Sequence, residues 1–251
     1  MSDRGPLSTV RVLECAEGLT GPVAGWLLAE AGAEVLKVEP PGGDRLRGSP
    51  GFHVIHRGKR GVVLDLVEVG GREECRGLVA AGVVVVVDEI ESRLERIGLG
   101  YDPVRAPSLV WCSVTTFGRE GPRAGLPPDD ALVEAASGIS AMQWSYAGTP
   151  VCFVTPMASY AGGFLAALGI AAALRARSLD GKGQRIDTSG LAGAMLLQSG
   201  TYVTGAGHEG SLAAQADDPR GVFPTYGLYR TSDGWIFVGA LTEAFWTSLA
   251  T

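Results

Sequence analysis

Histidine, lysine and paired cysteine are what this chain has least of. Its histidines are His53, His56 and His208, and its lysines are Lys37, Lys59 and Lys182. His53 and His56 share a stretch with no carboxylate partner at ligand spacing, so no metal site is expected. Cys15, Cys75, Cys112 and Cys152 stand far apart, form no C-x-x-C pair, and three of them sit in apolar runs. Buried free thiols in a reducing compartment are the expectation. A basic stripe is missing too. The 27 acidic residues outnumber 21 basic ones, for a net charge of −6, which argues against a nucleic-acid partner. The opening residues MSDRGPLSTVRV hold no apolar signal region, which points to the cytoplasm. The longest apolar run, Ala161 to Leu174, has 14 residues and is too short to span a bilayer. A helix buried in a domain is expected there, and no membrane partner.

What is present suffices for one sizeable core, or one domain and a fragment of another, since 46% of the 251 residues are hydrophobic. Residues 10–15 read as a strand and 16–20 as a loop. A helix then runs to about residue 31, with Pro22 in its first turn. Residues 34–39 read as a second strand, stopped by Pro40 and Pro41. Strand, helix and strand in so short a span make a βαβ unit, and hence a parallel sheet. Residues 42–56 read as a loop, 62–66 as a strand and 68–81 as a helix. The valine run 83–87, ending in Asp88, fits a central strand covered on both faces, and 109–114 is another strand. Residues 115–129 form a Gly- and Pro-rich loop of a length that often carries function. Helices are expected at 130–137 and 191–202, a strand at 184–188 and a polar linker at 204–219. A hairpin from 227–230 and 235–239 and a helix from 242 complete the chain. The expected fold is α/β, a Rossmann-like parallel sheet with helices on both faces over 1–204. A linker and the start of a small second domain follow over 205–251.

A strand followed by a glycine-bearing loop suggests a dinucleotide site. Here the loop is GLTGP, G-x-G-x-x-G is absent and Pro22 replaces a donor N–H, so no nicotinamide cofactor is expected. The head of the helix that carries the apolar run, residues 155–163, is the expected place of any chemistry. A helix start presents unpaired N–H groups and a positive end to anionic ligands, and Pro156 and Ser159 lie there. Asp129 and Asp130 place two carboxylates at another helix start. One can cap that helix while the other compensates its dipole, or the pair can take a catalytic or orienting role.

The stretch TPVCFVTPMASYAGGFLAALGIAAALRARSLDGKGQRIDTS, at 149–189, resembles the class III CoA-transferases. That family includes formyl-CoA transferases, carnitine CoA-transferases and 2-methylacyl-CoA racemases. VRVLECAEGLTGPVAGWLLAEAGAEVLKVEPPGGDRLRG at 10–48, HRGKRGVVLDL at 56–66, LERIGLGYD at 94–102 and LVEAASG at 132–138 agree with it. The resemblance implies interlocked dimers and a chain that returns from a small domain to finish the large one. It implies coenzyme A or an acyl-CoA as substrate with a carboxylic acid, and no covalently bound cofactor.

The resemblance also places site residues. Glu17, Gly18, Leu19 and Thr20 form the loop beside the thioester and pantetheine arm. Leu64, Arg96 and Ile97 match positions that flank the adenine and phosphates, and Arg is the preferred phosphate fork. Pro40 stands where some members keep a phosphate-binding Arg, and Glu89-Ile90-Glu91-Ser92 replaces the usual turn before Arg96. The position of the family's catalytic aspartate is Ser159, and that of the racemases' histidine is Asp129. A carboxylate is both an anionic nucleophile and a good leaving group. A serine hydroxyl is neither without an adjacent base, and capping of the helix is its simplest role. The candidate catalytic residues are thus Ser159, Asp129 and Asp130. The expected function is transfer of CoA between carboxylic acids, with a partner chain that is full-length or complementary. The alternatives are a non-catalytic subunit of a hetero-oligomeric CoA-transferase and a 2-methylacyl-CoA racemase-like protein.

Overall fold

The computed structural model describes residues 5–81, 84–88, 91–143, 149–202 and 223–251. The expected linker at 204–219, Val83, Glu89, Ile90 and His208 lie outside the described residues. By packing the chain falls into two units, Met1–Val133 with Pro156–Leu196 and Glu134–Thr155 with Leu197–Thr251.

The first unit is built on six parallel strands in the order β3-β2-β1-β4-β5-β6. These are β1 (Arg11–Cys15), β2 (Glu34–Glu39), β3 (Arg60–Val63), β4 (Val84–Val87), β5 (Val110–Thr115) and β6 (Arg185–Ser189). Leu13 of β1 pairs with Leu36 of β2 on one side and Val85 of β4 on the other. All four β4 valines are fully buried. As period-2 geometry requires, they divide between two cores. Val84 and Val86 join Val12, Val110 and Cys112 on one face, under Ala24 and Leu28 of α1 (Thr20–Glu30) and Ala166 and Ile170 of α6 (Met157–Asp180). Val85 and Val87 join Leu13, Cys15 and Trp111 on the other. Cys75 of α3 (Val69–Ala81) and Leu94 of α4 (Glu91–Arg96) cover that face. The α/β fold with helices on both faces is therefore as the sequence indicates.

Several expectations need correction. Strand β3 lies two residues earlier than expected, because its register sets Arg60 against Leu36 and Val63 against Glu39. Leu64 and Leu66 then leave the sheet and fill the core. The stretch 42–56 holds a short helix, α2 (Phe52–Ile55), and the helix α4 covers Glu91–Arg96. The helix expected over 191–202 is α7 (Gly190–Leu197), followed by a 3-10 turn at Ser199–Thr201. The 14-residue apolar run is only the middle of α6, which has 24 residues and enough length and apolar character to cross a membrane. It ends at Gly181, whose φ of 75° is left-handed and whose N–H donates to Arg177 O at 2.8 Å, a glycine C-cap. Only one face of α6 is buried, through Ala158, Ala161, Gly162, Gly163, Ala166, Ile170 and Ala173, while Phe164 and Leu168 are exposed.

In the second unit β7 (Tyr226–Arg230) and β8 (Trp235–Gly239) form the expected hairpin, with Tyr226 edge-on to Phe237. The helix α8 (Glu243–Ala250) is capped by Thr242, whose hydroxyl accepts from Phe245 N at 3.3 Å. The helix α5 (Asp130–Ser137) has the expected bounds.

Small residues let α6 lie directly on α1. A methyl group at Gly163 would stand 2.6 Å from Val23 Cγ1 and 2.9 Å from the Thr20 carbonyl oxygen. Gly163→Ala should lower the urea midpoint. Overpacking costs about 1–3 kcal/mol, against roughly 1 kcal/mol gained in helix propensity.

Candidate active site

The strand order reverses between β1 and β4, and in open parallel sheets the crevice beyond such a point is where ligands bind. The loop leaving β1 there, and the first turn of α1 that follows it, are held by charged side chains from three other segments. Lys37 of β2 donates to Ala16 O at 2.8 Å, and Lys59, just before β3, donates to Pro22 O at 2.7 Å. Between these two anchors Asp88, after β4, accepts from Glu17 N at 2.7 Å and Gly18 N at 2.8 Å. The lysines are themselves buried. Lys37 pairs with Asp44 at 2.8 Å and Glu14 at 3.4 Å, and Lys59 with Glu14 at 2.7 Å. Burial alone would pull the Lys37 ammonium down, but Glu14 and Asp44 outweigh it and hold the group above its ordinary pKa. Burial wins at Lys59, whose pKa is lowered despite Glu14. The helix α1 closes over this cluster at Gly25, where a Cβ would fall 1.9 Å from Glu14 Oε2.

The second half of the site is the head of α6. Pro156 is its N-cap residue and offers no side-chain cap. Asp130 arrives from α5 instead. Its Oδ2 accepts from Ala158 N at 3.2 Å, and its Oδ1 from Ser159 N at 3.0 Å and from the Ser159 hydroxyl at 2.5 Å. The simplest expected role of Ser159, capping α6, is thus corrected: Asp130 caps the helix, and Ser159 gives its proton to the same carboxylate. Asp129 caps α5, accepting from Ala131 N at 2.8 Å. Desolvation raises the Asp130 pKa, although its hydrogen bonds from Ser159 and Ala158 pull the other way.

These parts surround one cavity of about 350 Å³. Seven of the expected residues line it: Glu17, Gly18, Leu19, Thr20, Asp129, Asp130 and Ser159. Leu64 lies in a separate cleft of about 40 Å³ with Cys15, Val38 and Arg93, which Glu17 also borders. Neither Arg96 nor Ile97 lines either space. Arg96 is exposed, and Ile97 packs against the core. Pro156 also lines the larger cavity, and Arg45, Leu46, Asp88, Thr116 and Pro128 complete its wall without having been singled out from sequence. Lys37 had a legible signal, a single cation inside the strand EVLKVE, but its partner Asp44 lies in a loop of no periodicity. Among the described residues no cluster suits a metal ion. Cys15, Cys75 and Cys112 are buried as expected, whereas Cys152 is exposed.

The family model described as CoA-transferase family III matches residues 7–251, and the chain belongs to that family. It is 30% identical over 264 residues to the succinyl-CoA:mesaconate CoA-transferase of Haloarcula hispanica, covering 98% of this chain and 66% of that one. It is 36% identical over 200 residues to the succinate–glutarate CoA-transferase of Agrobacterium fabrum, covering 72% of this chain and 50% of that one. The crystal structure of a CAIB/BAIF family protein from Brucella suis superposes with a TM-score of 0.81 at 28% identity, over 99% of this chain and 69% of that one. The chain thus spans only half to two thirds of the length of these two curated relatives.

The buried cluster has a consequence for acid stability. His56 packs beside Lys59, with Nδ1 3.3 Å from the ammonium, and its Nε2 has no hydrogen-bond partner among the described residues. Burial, helped by the Lys59 charge, lowers its pKa to about 4. In the unfolded chain the ring takes up a proton near pH 6.5. Below that pH the unfolded state binds more protons. The contribution of neutral His56 is therefore full above about pH 6.5 and is lost as pH falls towards 4. Urea titrations of His56→Gln should show a shallower decline between pH 6.5 and 5 than the parent chain. Equal slopes would remove His56 from the account.

Proposed function

We propose that this chain binds an acyl-CoA thioester in the cavity at the head of α6. It takes part in moving CoA between carboxylic acids as one member of an oligomer. The observation that carries this reading is the joint lining of one cavity by the β1 loop, Asp130 and Ser159. The family's chemistry begins with a carboxylate attacking the thioester to give a mixed anhydride. The released CoA thiolate then attacks that anhydride. Here α6 presents Ser159 at that place, and the nearest carboxylate, Asp130, has both oxygens engaged by the helix head. A carboxylate so held is a poor nucleophile, so the carboxylate for CoA transfer comes from a partner chain. The large apolar side chains left exposed on α6, Phe164 and Leu168, and on α7, Met195 and Leu196, support such a partner, since exposed apolar surface marks interfaces. A cytoplasmic setting fits soluble CoA and acid substrates. The racemase alternative finds no support, because neither its histidine nor its aspartate is in place and the relatives above are CoA-transferases.

Thermal-shift measurements with millimolar acyl-CoA should raise the melting temperature, because a ligand that binds only the native state stabilises it by mass action. An unchanged trace would remove the binding reading. The chain alone, given labelled acyl-CoA and a free carboxylate acceptor, should transfer CoA at background rate. Ser159→Asp should gain at most a few-fold, because the new carboxylate would stand against Asp130 and the two would compete for one proton, raising one pKa. Robust transfer by the unaccompanied parent chain would show that no partner carboxylate is needed.

A further inference from the structure

The contact between Ser159 and Asp130 has a chemistry of its own. The Ser159 hydroxyl donates to Asp130 Oδ1 at 2.5 Å, and both groups line the cavity of about 350 Å³. A serine needs three things to attack an acyl group: a base in hydrogen-bond contact, room for the acyl carbon, and donors for the oxyanion. Asp130 is the base in contact. Leu19 and Thr20, at the start of the 11-residue helix α1, border the same cavity, and the first N–H groups of a helix have no intrahelical acceptor. Partial desolvation makes Asp130 a stronger base than an exposed aspartate.

We propose that Ser159 and Asp130 form a dyad that takes the acyl group of a bound thioester onto Ser159 and hands it to water, giving this chain an acyl-CoA hydrolase activity distinct from CoA transfer. The inference rests on the reading that the cavity accepts an acyl-CoA. In the first step Ser159 Oγ bonds to the carbonyl carbon while its proton passes to Asp130. The C–S bond then breaks, and the CoA thiolate leaves with that proton as the free thiol. In the second step water attacks the Ser159 ester, its proton passing to Asp130. The C–Oγ bond breaks, Ser159 recovers the proton, and a carboxylic acid departs. No electrons are gained or lost. The geometry also explains why this site by itself does not transfer CoA. A thiolate attacking a serine ester can only strike the acyl carbon, which regenerates the starting thioester. An enzyme-bound CoA thioester requires a carbonyl on the side chain, which serine lacks.

The test uses the full chain with butyryl-CoA. CoA thiol release is followed with a thiol reagent, and the quenched protein is examined by peptide mass mapping. The expected results are a butyryl ester on the peptide containing Ser159 and slow continuous CoA release. Ser159→Ala should lose the adduct and about a hundredfold of the release. Ser159→Cys should retain an adduct at the same peptide, now a thioester cleaved by neutral hydroxylamine, which confirms the position of the nucleophile even if acylation of serine is slow to accumulate. Stabilisation by butyryl-CoA with no adduct on the parent or cysteine chain, or with release unchanged by Ser159→Ala, overturns the dyad and leaves the binding reading standing. Absence of both stabilisation and adduct overturns the two together. Acylation confined to the exposed Cys152 counts against the dyad.

Discussion

The buried pairing of Glu14 with Lys37 and Lys59 is the constraint on which the rest of the site depends. Glu14 points out of a central strand into a region that α1 would otherwise fill with apolar side chains. Two ammonium groups answer it, and Asp44 supplies the second negative charge, so the cluster is formally neutral with His56 uncharged. Breaking such a group by removing one partner costs about 3–5 kcal/mol, far more than an exposed pair, because an uncompensated charge would remain in low dielectric. The spare donors of both lysines go to backbone carbonyls, Ala16 where the β1 loop begins and Pro22 in the first turn of α1. The loop is therefore tied to the sheet by charges that cannot easily be withdrawn. Its middle is held by Asp88 from the neighbouring strand.

The same logic of distant groups meeting at element ends governs α6. Its close approach to α1 depends on Gly162 and Gly163, whose missing side chains leave room for Thr20 and Val23 of α1. Its first turn is satisfied by a carboxylate 29 residues earlier in the chain. Asp130 thereby ties α5 to α6 and accepts the Ser159 hydroxyl at the helix head. One carboxylate thus both satisfies α6's first N–H groups and accepts the Ser159 hydroxyl. The remaining face of α6, with Phe164 and Leu168 in the open, shows that burial by this chain alone is one-sided.

How far the chain could be read in advance varied with the range of the interaction. Local pattern alone determined the strand–helix alternation, the parallel sheet, the central place of the valine run and the bounds of β2 and α5. Those depend on the period of apolar residues and on neighbours a few positions away. The grouping of Glu17–Thr20 with Asp129, Asp130 and Ser159 was also legible, because familiar motifs carry those positions. Tertiary structure alone decided what each polar group does. Ser159 looked like a cap and is a donor to one. Lys37 and Lys59 carry no sequence signal of the carboxylates they meet, and are buried clamps. Arg96 looked like a phosphate fork and stands away from the cavity. Leu64 and Leu66 looked like strand residues and belong to the core beyond it. In each case the outcome turns on a partner far along the chain, and a hydrogen bond or ion pair between distant segments leaves no periodic trace in sequence. Hydrophobic order is written along the chain, whereas electrostatic pairing is settled only when the fold brings charges within a few ångströms of each other.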